Sequence, residues 1–407
     1  MKSILKKILP YTILLISISS ILQWCSLPIG NTFVWWILQS FILYILIKLK
    51  PNKYHILPIK LFLIYLMGST LYGAFFMAEN YWDWKLLINN LMTFSLAFVA
   101  YTYSVPSLLA STLKYWFKYA WIILFLLIPF LASDAYGRFL VPFTILALCF
   151  PLLTKKYIIL TFIAYIITII LGIQSRSDII KFTITLLLGI SLIIIPQLWK
   201  SKKRIQFIMN TLMIIPIILF TLGATGVFNI FKIEEELNLK DTYTMTSEYG
   251  NEYSALVDTR TGLYVEEIES AINNDYVIYG RSIARGYDSQ LFGESINELT
   301  QTQRGERGSC ETSILNIFNY FGLIGIFIYM FIFWKAAYLA ISHSNNSFLP
   351  VIGIYVAFRW LFAWIEDFSR FDLNYMFLWI LIGICYSPIY RKMTNQEFKQ
   401  LFNLILK

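Results

Sequence analysis

The strongest constraint in this chain is a succession of apolar runs, each about 15 to 24 residues long, separated by short polar links. At a helical rise of about 1.5 Å per residue, a run of that length crosses a hydrocarbon core of roughly 30 Å. Inside hydrocarbon every backbone amide and carbonyl needs a partner within its own segment, so the runs must be helices. They fall near residues 8–27, 29–49, 56–77, 85–104, 118–132, 139–153, 156–173, 179–199, 205–227, 312–334, 348–365 and 372–388. The expected fold is an all-α polytopic membrane protein of about twelve transmembrane helices, with one long outer loop containing short helices. Residues 1–227 form an N-terminal transmembrane bundle. Residues 228–311 form the large periplasmic or extracellular loop, and 312–407 the C-terminal transmembrane helices with a short cytoplasmic tail.

Composition agrees. The chain is 58% hydrophobic and 14% charged, whereas a soluble domain carries about 25% charge. The four cysteines, Cys25, Cys149, Cys310 and Cys385, have no near neighbours, so neither a disulfide framework nor a zinc site is indicated. The N-terminal Lys2, Lys6 and Lys7 precede an apolar stretch without a small-residue cleavage site, which reads as an uncleaved first span.

The net charge of +9 reflects topology and not nucleic acid. With the N-terminus inside, the even number of spans returns the C-terminus to the same side. Lys48, Lys50, Lys53, Lys60, Lys114, Lys118, Lys155, Lys156, Lys200, Lys202, Lys203, Arg204, Lys335, Arg391 and Lys392 then lie in inner links. The outer links hold mainly Lys85, Arg138, Arg176 and Arg370. Inner cations are mostly lysine and outer ones mostly arginine. Arginine presents a planar fork that binds phosphate through two parallel hydrogen bonds and keeps its charge. Arginines gathered at the outer face point to an anionic ligand; the alternative is pairing with outer acids such as Glu266, Glu267 and Asp288.

The long loop carries sixteen of the 24 acidic residues and seven basic ones. Asp258 or Thr259 could cap a helix running to about Ala271, with Leu263, Ile268 and Ile272 on one apolar face. The stretch from Glu234 to Asn251 reads as solvated and weakly ordered. Gly280-Arg281 and Arg285-Gly286 place arginines beside glycines, where a phosphate can approach the backbone, although an ordinary turn explains them equally well. No phosphate-binding loop, dinucleotide fingerprint or internal zinc motif occurs. The two histidines, His55 and His343, map to the inner side, so no outer histidine serves as acid, base or ligand. The Glu366-Asp367 pair and Asp372 read as a solvated interfacial turn. Neither cofactor nor metal is expected.

Glu311-Thr-Ser-Ile-Leu315, Phe318 and Gly322-Leu-Ile-Gly325 open the span that follows the long loop. This segment resembles the one after the large periplasmic loop in the O-antigen polymerase and ligase superfamily of bacterial membrane glycosyltransferases. Gln174-Ser-Arg-Ser177 is similar to that family's Ser-Arg element, and Arg260 and Gly280-Arg281 to its loop arginines; Ala135-Tyr-Gly-Arg138 is similar to a further arginine element. Ligase members carry a histidine where this chain has Glu311, which leans toward a polymerase. The resemblance implies a metal-independent enzyme in the bacterial cytoplasmic membrane with both termini cytoplasmic. It would join polyprenyl-diphosphate-linked oligosaccharide repeat units into a capsule, O-antigen or exopolysaccharide. Its partners would be those lipid-linked sugars, membrane lipids and a chain-length regulator, with no nucleic acid.

On that reading Arg176 and Arg260 hold the departing diphosphate, with Arg281, Arg285 and Arg138 next in line. Glu311 accepts the proton of the attacking sugar hydroxyl. Outer aromatics such as Tyr264 and Tyr287 stack on sugars, unless they belong to an interfacial belt. The competing readings are a ligase-type transferase and a flippase for lipid-linked oligosaccharides. The absence of an internal repeat and the length of the outer loop argue against the flippase.

Overall fold

The computed structural model describes residues 2–406 except 52–55, 173–174, 233–243, 247–251, 255–259 and 301. Seven helices are long and apolar enough to cross a membrane: Lys2–Trp24, Thr32–Leu49, Leu57–Met77, Pro106–Phe130, Arg176–Ile194, Lys202–Ala224 and Ser313–Ser342. Two shorter apolar helices, Phe348–Phe362 and Leu373–Tyr386, pack among them. Among the described residues the only strands are two short antiparallel pairs, Thr244–Thr246 with Glu252–Ser254 and Tyr287–Asp288 with Glu306–Arg307. Large apolar side chains point outward along the helices; Phe75 and Phe76 are 76% and 75% exposed and Phe125 is 70% exposed. A water-soluble surface does not carry a belt of this kind, so the all-α membrane class stands.

Several expected spans take another form. The run at 85–104 is two helices, Tyr81–Ser95 and Phe98–Thr102, joined by a turn at Leu96 and Ala97. The run expected at 118–132 begins at Pro106, whose missing amide suits a first helical turn. The run at 139–153 is broken into Pro142–Leu148 and the short turn Phe150–Leu152. The preceding Ser133–Arg138, expected as a polar link, lies within the helix Ser133–Leu140 that buries Tyr136, Gly137 and Arg138. In these places tertiary packing overrides the local apolar pattern.

The long loop folds back onto the bundle. Its helix Arg260–Asn273 lies where the apolar spacing expects one; the capping residues Asp258 and Thr259 and most of 234–251 lie outside the described residues. The buried face differs from the expected one. It carries Leu263, Tyr264, Glu267, Ser270 and Ala271, whereas Ile272 is 60% exposed.

The loop is anchored by a splice into the Ser313–Ser342 helix. That helix breaks at Gly322, with φ 61° and ψ −163°, a conformation essentially reserved for glycine. The backbone groups released there are taken up by the loop: Leu323 N donates to Val277 O at 2.9 Å and Ile324 N to Ile278 O at 3.2 Å, while Arg281 N donates to Asn319 O at 2.6 Å. Gly280, at φ 80°, crosses so closely that a Cβ there would sit 2.3 Å from Phe321 N. A Cβ on Gly322 would sit 2.3 Å from Ile278 O. The two glycines thus let one strand of backbone pass through a broken helix with its polar groups satisfied.

Candidate functional site

The arginines expected to act together fall into two groups. Arg281 and Arg285 meet at Glu306. Arg285 grips that carboxylate with two nitrogens, Nε at 2.8 Å from Oε2, and these bonds raise its pKa above the ordinary arginine value. Arg281 Nη2 lies 3.1 Å from Glu306, and its Nη1 bonds Asp288 at 2.8 Å and Gly286 O at 2.9 Å. Both line a cavity of about 500 Å³ between the loop and the Leu57–Tyr72 helix, walled by Tyr65, Tyr72, Tyr276 and Tyr279. Their donors are engaged by the loop's own acceptors, so they shape the loop first.

The second group surrounds the turn between the two short apolar helices, from Ala363 to Asp372. Arg260 Nε donates to Ile365 O at 2.9 Å and the Tyr264 hydroxyl to Trp364 O at 2.7 Å. Ser313 Oγ donates to Asp367 at 3.2 Å and accepts from Phe368 N at 2.9 Å. Lys181, 2% exposed, sits 2.6 Å from Asp178 and 3.3 Å from Glu366. Arg138, 8% exposed, lies over the Trp24 ring with Nη1 3.6 Å from Asp372 Oδ2. Arg370 also faces Trp24, bonds Gln23 at 2.8 Å and pairs with Asp367 at 3.4 Å. The expectation of a solvated turn at Glu366, Asp367 and Asp372 is therefore corrected: these acids are 9%, 7% and 3% exposed. Charges so deep persist only when paired, and here Lys181, Arg138 and Arg370 meet Asp178, Glu366, Asp367 and Asp372.

Beside the turn opens a cavity of about 360 Å³. Asp367, Asp372 and Arg370 line one part and Gln23, Gln39, Asn89, Asn90 and Asn316 the rest, with Trp24 and Tyr320 among the walls. It shares Gln23, Gln39 and Asn89 with a neighbouring cavity of about 520 Å³ under Pro28–Asn31, so the two form one cleft. Amides and carboxylates beside aromatic rings are the donor and acceptor set that sugar hydroxyls need.

The remaining expected residues lie elsewhere. Arg176 is exposed at the start of its helix, and neither it nor Arg260 lines any of the four described cavities. Glu311 is exposed and paired with Arg307 at 3.1 Å, also away from those cavities. Tyr264 packs against Phe220 and Phe231, and Tyr287, fully buried, accepts from Arg307 at 3.3 Å; burial pushes both phenols up. Their rings are part of the packing and present no face to a sugar, contrary to expectation. Burial likewise pushes the Cys310 thiol up to about 11, which keeps it protonated. Among the described residues no three His, Cys, Asp or Glu side chains are grouped to hold a metal.

Sequence reasoning missed Asp178, Lys181 and the amide row. Asp178 and Lys181, three residues apart inside an apolar run, were the available signal, because an ionisable pair in a span needs a reason to be there. No family model, curated protein or solved structure matches this chain. The class that the fold defines is an all-α membrane protein with a charged, amide-lined cleft at the loop-covered end of its bundle.

Proposed function

We propose that this protein is a membrane transferase that joins polyprenyl-diphosphate-linked oligosaccharide repeat units into a surface polysaccharide. In this reading the loop-covered end faces outward from a bacterial cytoplasmic membrane, about twelve segments cross it, and both termini are cytoplasmic. The observation that carries the proposal is the cleft beside the 363–372 turn. Its amides and carboxylates suit hydroxyl recognition, and Arg370 supplies a fixed cation in the same wall.

Transfer from a lipid diphosphate needs stabilisation of the charge that develops on the leaving group, and preorganised cations provide it with little rearrangement. Arg370, which lines the cleft, is assigned that task, with Arg260 and Arg176 on the elements that frame the turn. Arg260 is bonded to the carbonyl of Ile365, five residues before Arg370. Arg176 opens the helix that carries Asp178 and Lys181 toward Glu366.

Deletion of the chain in its host, followed by analysis of lipid-linked intermediates, tests the proposal. The expected result is single repeat units accumulating on the outer leaflet. Accumulation on the inner leaflet would identify a flippase. Full polymer that fails to reach its final acceptor would identify a ligase. Either result overturns the polymerase reading.

A further inference from the structure

Resting on the transferase reading, we infer that Asp372 is the carboxylate that accepts the proton of the attacking hydroxyl, and that Arg138 positions it. Three buried acids have a carboxylate oxygen without a hydrogen-bond partner among the described residues: Glu267, Glu366 and Asp372. Of these, Asp372 is the one that lines the amide-rich cavity. Its two oxygens have separate duties. Oδ1 accepts from Tyr375 N at 2.8 Å and caps the Leu373–Tyr386 helix, which fixes the rotamer. Oδ2 is left facing Arg138, whose Nε and Nη1 also have no hydrogen-bond partner among the described residues. At 3.6 Å the pair is close enough for attraction but longer than a hydrogen bond.

A carboxylate held on one oxygen, with its other oxygen opposite a guanidinium, has a fixed geometry for taking a proton; burial raises its pKa above the ordinary aspartate value, which makes it a stronger acceptor, while the charges of Arg138, Arg370 and Lys181 oppose that rise. Asp367, the other acid in the cavity, has its oxygens occupied by Ser313, Ser369 and Arg370. Glu311 lines no described cavity. In the step itself the acceptor sugar's hydroxyl gives its proton to Asp372 as its oxygen bonds the anomeric carbon of the donor. The carbon–oxygen bond to the diphosphate breaks, and the lipid diphosphate leaves with the electron pair. The proton then passes from Asp372 to water.

The test is chain synthesis by the full-length protein in proteoliposomes supplied with a lipid-linked repeat unit. Asp372→Asn keeps the helix cap, because asparagine caps as well as aspartate. It removes the proton acceptor, so the rate should fall by about 10²- to 10⁴-fold; because Arg138 loses its partner the variant should melt lower, and rates are compared at a temperature where both proteins are folded. Arg138→Lys should move the acidic limb of the pH–rate profile to higher pH, because a less well-matched cation holds the carboxylate ionised less firmly. An Asp372→Asn protein that polymerises at the wild-type rate overturns the inference and leaves the transferase reading standing. If that variant does not fold, an acidic limb unmoved in Arg138→Lys overturns it instead. A wild-type protein that forms no product under any of these conditions overturns the transferase reading itself.

Discussion

Glu267 shows what burial does to one carboxyl group. It is fully buried on the loop helix, and both its oxygens lack hydrogen-bond partners among the described residues. Burial raises its pKa well above the ordinary glutamate value; the Arg281 charge opposes this and Asp288 adds to it. The folded loop therefore binds a proton that the unfolded chain releases. Stability from this group is complete below the unfolded pKa and is lost as pH rises through the folded one. The wild-type loop should lose hydrogen-exchange protection as pH rises through that window, and Glu267→Gln should remove the dependence. A loop whose protection has the same pH profile in both proteins would contradict this. Lys181 is the opposite case, a buried cation held by two carboxylates. Lys181→Met would strand Asp178 and Glu366, at a cost of about 3–5 kcal/mol. A melt in detergent should show that loss, with partial recovery when Glu366→Gln is added.

The elements differ in how much their sequence discloses. Long runs such as Lys202–Ala224 announce themselves because their apolar length needs no tertiary context. The break at Leu96 and Ala97 is silent, since no glycine or proline marks it. The 363–372 turn looks like a short solvated link because its acids stand between two apolar runs; only packing against Arg138, Lys181 and Ser313 buries them. Gly322 in the Gly322-Leu-Ile-Gly325 stretch has a physical reason that no local pattern discloses, the splice with Val277–Gly280. Gly322→Ala should cost about 1–3 kcal/mol in backbone strain alone. The clash with Ile278 O adds to that cost. Limited proteolysis should then cut the loop faster than in wild type, while an equal rate would show that the splice does not hold the loop down.

At the scale of the whole molecule, residues far apart in the chain meet at both ends of the bundle. Glu79 and Asp83 meet Arg304 of the loop, and Trp24 meets Arg138 and Arg370. At the other end Lys202 reaches Ser342 O at 2.9 Å and Asn345 N reaches Arg391 O at 2.8 Å. The arginines at the loop-covered end were legible as a class. Their division between a loop scaffold at Glu306 and the 363–372 turn was not, because it depends on which acceptors folding brings near. The loop-covered cleft is the centre of the account, and one measurement addresses it directly. A single lipid-linked repeat unit is supplied to the purified wild-type protein in proteoliposomes, and the products are separated by size. The account predicts a ladder of two, three and more units that is lost when Gln39 and Asn89 are both replaced by tryptophan to fill the cleft. A ladder undiminished in the filled variant would contradict it.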